Sequence, residues 1–96
     1  MIQAQQKALQ LKLKIYFNGV MELVDAKKDE SYGELIDRCR RIFKVEDNEI
    51  QYRLRLYDAN MRVRLAPVSA SRQELLMTIT SFKNYMCFDL ESGPDF

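Results

Sequence analysis

The stretch QYRLRLYDANMRVRL, Gln51–Leu65, alternates apolar and basic side chains almost without a break. Tyr52, Leu54 and Leu56 share one parity with each other, as do Met61, Val63 and Leu65, while Arg53, Arg55, Arg62 and Arg64 fill the positions between them. A period of two places successive side chains on opposite faces of a strand, so each run predicts one dry face and one basic face. Asp58–Ala59–Asn60 interrupts the pattern with turn-forming residues. The stretch therefore reads as a hairpin, Tyr52–Tyr57 followed by Met61–Leu65.

Upstream, Leu9, Leu11, Leu13, Ile15 and Phe17 alternate with Gln10, Lys12, Lys14, Tyr16 and Asn18. Asn18–Gly19 tolerates positive φ at both positions and predicts a tight hairpin turn. The returning strand, Val20–Asp25, has two possible inward sets: Met21 with Leu23, or Val20 with Val24. In SYGELIDRCRRIFKV, Ser31 and Glu34 have the spacing of a capping box. Tyr32, Leu35, Cys39, Ile42 and Phe43 recur at helical spacing, with Ile36 on the flank. This predicts an amphipathic helix with its cations toward the C-terminal end, where the helix dipole favours them. EDNE reads as a polar loop.

Downstream, Pro67 is expected to end the fourth strand, and Ser71 with Glu74 offers a second capping box in a connecting loop with a short helical turn. YMCFDLE alternates again, with Met86, Phe88 and Leu90 inward and Cys87, Asp89 and Glu91 outward. The order is strand, strand, helix, strand, strand, crossover, strand. One helix across one curved sheet buries these apolar faces together, an α+β arrangement.

The 96 residues fit one domain, and 47% hydrophobic with 30% charged residues is the composition of a globular chain. A formal charge of +1 makes any basic patch a matter of arrangement. No apolar run has the ~20 residues of a membrane span. The chain has no histidine, so neither a Cys–His nucleophile pair nor a His-containing zinc site can form within it. Cys39 reads as a core thiol, and Cys87 as a solvated or partly covered strand thiol. No catalytic residue, metal ligand or cofactor is expected. Two cysteines without a disulfide framework point to a reducing, intracellular setting, cytoplasmic or nuclear.

The LKLKIYFNG hairpin, the capped helix and YRLRLYDANMRVRL together resemble the ubiquitin-like β-grasp fold. That resemblance implies a mixed five-stranded sheet with one central helix packed on one face, spanning residues 11–91, with a flexible lead at 1–10 and a tail at 92–96. It also implies a last strand lying between the first and the third. Lys12, Lys14, Arg53 and Arg55 would then share the outer face with Cys87 and Asp89, and Arg62 and Arg64 would lie nearby. Ubiquitin ends in paired glycines, whereas this sequence has a single Gly93 before Pro94, so it is not expected to act as a conjugated modifier. Arg55 stands where ubiquitin carries the isoleucine of its apolar patch. The phrases RLRLYD and CFDLES resemble the embedded ubiquitin-like domains of large ubiquitin-specific proteases.

These readings predict a noncatalytic, monomeric interaction or regulatory module. It would meet an acidic protein surface, or a neighbouring domain of a longer chain, through Arg53, Arg55, Arg62, Arg64, Lys12 and Lys14. Charge reversal at Arg53 and Arg55 is expected to weaken binding with little effect on stability. Two alternatives use the same architecture: a nucleic-acid-binding module on the same arginines, and a passive spacer. The near-neutral total charge weighs against nucleic acid.

Overall fold

The computed structural model describes residues 10–94. Strands β1 (Gln10–Phe17) and β2 (Val20–Lys27) form the first hairpin, helix α1 spans Tyr32–Ile42, β3 (Tyr52–Asp58) and β4 (Val63–Pro67) form the second hairpin, and β5 is Cys87–Ser92. A short 3-10 turn occupies Leu76–Thr78. The sheet order is β2-β1-β5-β3-β4. β5 runs parallel to β1 and antiparallel to β3, placing the last strand between the first and third as the resemblance implied. Except for Gln10, which opens β1, the expected flexible lead lies outside the described residues, as does the end of the expected tail. β5 runs on to Ser92, and the Gly93 N–H donates to the Gln51 carbonyl at 2.8 Å.

The alternation in β1 is realised directly: Leu11, Leu13 and Ile15 are buried, and Lys12 is exposed. Asn18 and Gly19 both have positive φ, 51° and 79°, the conformation their identities favoured. In β2 the inward set is Val24 with Ala26, while Val20, Met21 and Leu23 are exposed. Register explains this: Val24 pairs with Leu13 and Ala26 with Leu11, both core residues, whereas Val20 pairs with half-buried Phe17 beside the Asn18–Gly19 turn.

Helix α1 begins as predicted. Ser31 caps the Glu34 N–H, and the Glu34 carboxylate returns a bond to the Ser31 N–H. Tyr32, Leu35, Ile36 and Cys39 are buried against the sheet, so Ile36 belongs to the core rather than to the flank. The helix stops at Ile42, about three turns long. Lys44 adopts φ 57°, the Lys44 N–H donates to Arg41 O, and the Val45 N–H reaches back to Arg40 O at 2.8 Å. These are the paired bonds of a Schellman stop, made here without glycine.

Ser71 and Glu74 make their predicted local contact, with the Ser71 N–H donating to the Glu74 carboxylate at 3.1 Å, yet no helix follows directly. The carbonyls that would propagate one are already engaged. Arg72 O accepts the Gly33 N–H and Glu74 O accepts the Tyr32 N–H, which satisfies the free amides of the first turn of α1. Gly33 permits this approach, since a Cβ there would lie 3.0 Å from the Arg72 side chain.

The core combines the inward sheet residues with Val68, Ala70, Leu76 and Phe82 of the crossover. Phe82 stacks on Phe88 at 4.9 Å. The predicted dry parity of the fourth strand is not dry: Met61 is 73% exposed, Val63 44% and Leu65 45%. β4 is an edge strand beyond the reach of the single 11-residue helix, and its register with β3 shifts between Arg55 and Tyr57. Pro67 is the last residue of β4 and ends the strand as expected, tolerated there because an edge residue need not donate to a ladder.

Candidate interaction face

One face of the sheet carries α1 and the core. On the other, pairing of β3 with β5 sets Arg53 opposite Glu91 and Arg55 opposite Asp89. Parallel pairing of β5 with β1 sets Cys87 beside Lys14 and Asp89 beside Tyr16. The strand period thus gathers the predicted cations with two carboxylates on the side away from the helix.

Glu91 is the hub of this face. Its carboxylate accepts from Arg53 Nε at 2.7 Å, from Arg55 Nε at 2.9 Å, and from Arg64 Nη2. Only 13% of its side chain remains accessible. Burial alone would push the Glu91 carboxyl up, but the Arg55 and Arg53 hydrogen bonds outweigh it and hold the group below the usual range. The bond to Glu91 in turn raises Arg55, keeping it cationic. Arg55 also donates to Leu65 O at 2.7 Å, tying β3 to the edge strand. Arg64 Nε lies 3.2 Å from Asp89, whose carboxyl is nevertheless raised because burial outweighs that attraction.

Arg53, Arg55 and Arg64 are therefore brought together on the outer face, half-neutralised rather than free in water. Lys12 stands apart at the β1–β2 edge, 2.7 Å from Asp25, a bond that raises its pKa. Lys14 and Arg62 have no ion pair among the described residues. With Arg53 and Arg55 bonded to Glu91, reversing their charge would disturb the fold as well as the surface, so they are poor probes of binding alone.

The sequence had placed Asp89 and Glu91 on the outward parity, but not the convergence of three guanidiniums on one of them. That depends on side chains reaching across strands that are distant in the chain. Sequence reasoning also missed the ring contact of Tyr16 with Tyr57, at 5.1 Å between centroids across β5. Burial raises the Tyr16 phenol, with Cys87 and Tyr57 adding to the shift. Exposed Met21 and Leu23 adjoin Tyr16 and Lys14 through the β1–β2 register.

Cys39 is fully buried, and burial pushes its thiol up to about 12. A thiol so held is not a nucleophile at neutral pH. Cys87 is half-buried on the outer face. Among the described residues no group of three His, Cys, Asp or Glu side chains is placed to hold a metal, and no helix is long and apolar enough to cross a membrane.

The sequence matches no family model and no curated protein. Solved structures do share its architecture. The C-terminal ubiquitin-like domain of mouse tubulin-specific chaperone e superposes with a TM-score of 0.60 at 20% identity, covering 91% of each chain. The ubiquitin-like domain of an Arabidopsis thaliana protein gives 0.57 at 13% identity, over 86% of this chain and 77% of that one. The fold is the ubiquitin-like β-grasp. A structure of ATBAG1 in complex with HSP70 gives 0.59 at 14% identity over 88% of this chain, which spans only 41% of the matched chain's length. The shared architecture is, in this chain, an α+β unit with a mixed five-stranded sheet.

Proposed function

We propose that this chain is a noncatalytic ubiquitin-like interaction module of a larger protein, and that it meets an acidic protein surface through its outer sheet face. The observation that carries the reading is the Glu91 hub. It holds Arg53, Arg55 and Arg64 in set positions on a face that no other described element covers, with Lys14 and Arg62 beside them making no ion pair among the described residues. Side chains ordered before binding lose less entropy on association, and arginine's planar fork suits carboxylate partners. Asp89 and Glu91 at the centre of the face weigh against a run of nucleic-acid phosphates there. ATBAG1, found in complex with HSP70, supports protein binding as the use of such a fold. Assignment of the parent to the ubiquitin-specific proteases rests on RLRLYD and CFDLES alone.

The test is affinity capture by the full chain, read by quantitative mass spectrometry. Proteins retained by the wild type are expected to be lost with Lys14→Glu or Arg62→Glu and kept with Arg41→Glu on the helix side. Retention unchanged by the two outer-face variants overturns the reading.

A further inference from the structure

The outer face ends in a groove between the two hairpin tips. Its volume is about 490 Å³, and Tyr16, Tyr57, Arg62, Arg64 and Asp89 line it, with the Asn18–Gly19 turn as one wall. The packed rings of Tyr16 and Tyr57 give it an apolar floor. Arg64 is 57% exposed although Asp89 and Glu91 hold it. Arg62, in the turn with φ 56°, makes no hydrogen bond or ion pair among the described residues. Exposed Met21 pairs with Tyr16 in the β1–β2 register, and exposed Met61 precedes Arg62 in the second turn, so apolar surface adjoins the lining residues.

We propose that this groove anchors one acidic side chain of a protein partner, carried in a short segment with apolar residues on either side. The assignment rests on the outer face being the binding face. Charge complementarity selects the occupant. A carboxylate entering between Arg62 and Arg64 gains charge-assisted hydrogen bonds without breaking an existing pair of Arg62. Its apolar neighbours meet the exposed Met21 and Met61. A polyphosphate is disfavoured because the Asp89 carboxylate lines the groove.

The probe is the peptide acetyl-Ser-Leu-Glu-Leu-Ser-amide, titrated into the full 96-residue chain and followed by ¹H–¹⁵N NMR. Saturable shifts are expected at the amides of Gly19, Tyr57, Arg62 and Val63. Replacing the peptide's glutamate by glutamine should weaken binding about tenfold, and Arg62→Glu should transfer the preference to a peptide carrying lysine in place of that glutamate. Because Arg62 has no partner among the described residues, the rest of the Arg62→Glu spectrum should stay in place, which separates lost binding from lost fold. Absence of saturable shifts, equal binding of the glutamine peptide, or indifference to Arg62→Glu overturns the groove. If those results coincide with capture that still depends on Lys14, the groove fails and the wider face stands. Peptide binding together with capture indifferent to Lys14→Glu and Arg62→Glu removes the wider face instead.

Discussion

Tyr32→Phe removes a single oxygen from the inside of the domain and tests how the helix is fastened to the sheet. Tyr32 is fully buried at the start of α1, and its hydroxyl accepts the Leu54 N–H at 2.9 Å. Leu54 lies on β3 where the ladder to β4 has run out, the last pair in that direction being Arg55 with Pro67. The phenol thus takes the place of a missing strand, and phenylalanine leaves a backbone N–H buried and unpaired. Such a loss costs about 1–3 kcal/mol, and the added cavity is no larger than an oxygen atom. At about 2 kcal/mol, Tm should fall by roughly 8–16 °C in a domain of this size. Urea unfolding at constant slope gives the free energy, and hydrogen exchange at the Leu54 amide should accelerate more than at buried neighbours. Tyr57→Phe on the half-buried outer face is the control, expected to cost less than about 0.5 kcal/mol. A loss below about 0.5 kcal/mol for Tyr32→Phe, or an unaltered Leu54 exchange rate, would refute the argument.

Glu91→Gln should cost about 1 kcal/mol at neutral pH, a figure kept low because its partners are partly solvated. The Glu91 carboxyl is held below its ordinary range in the fold, so its contribution exists above the unfolded-state pKa and is lost as pH falls through the folded one. The stability gap between wild type and Glu91→Gln, followed by thermal melts, should therefore close on acidification below the usual carboxylate range. In a Cys87→Ser background, Cys39 should resist a thiol reagent in the native state and react only as fast as the domain opens, its thiol being pushed up to about 12. Lys44→Gly should stabilise by up to about 1 kcal/mol in urea unfolding, since glycine enters the left-handed region at φ 57° without the Cβ penalty.

Local patterns alone determined a good part of this molecule. The inward set of β1, the Asn18–Gly19 turn, the Ser31–Glu34 box and the inward Phe88 and Leu90 all follow from periodicity and cap chemistry, which depend on neighbours within a few residues. Even the outward parity of Arg53, Arg55, Asp89 and Glu91 was legible there. Tertiary structure decided whether an alternating run is covered. YRLRLYD and MRVRL look alike, yet Leu54 lies beneath the helix while Val63 and Leu65 stand on an edge the helix does not reach. It also decided that Arg72 and Glu74 lend their carbonyls to α1 instead of starting a helix of their own. The charge state of the outer face belongs to the same class. Three guanidiniums meet Glu91 only because β5 inserts between β1 and β3, a pairing set by the whole core and invisible to any short window of sequence.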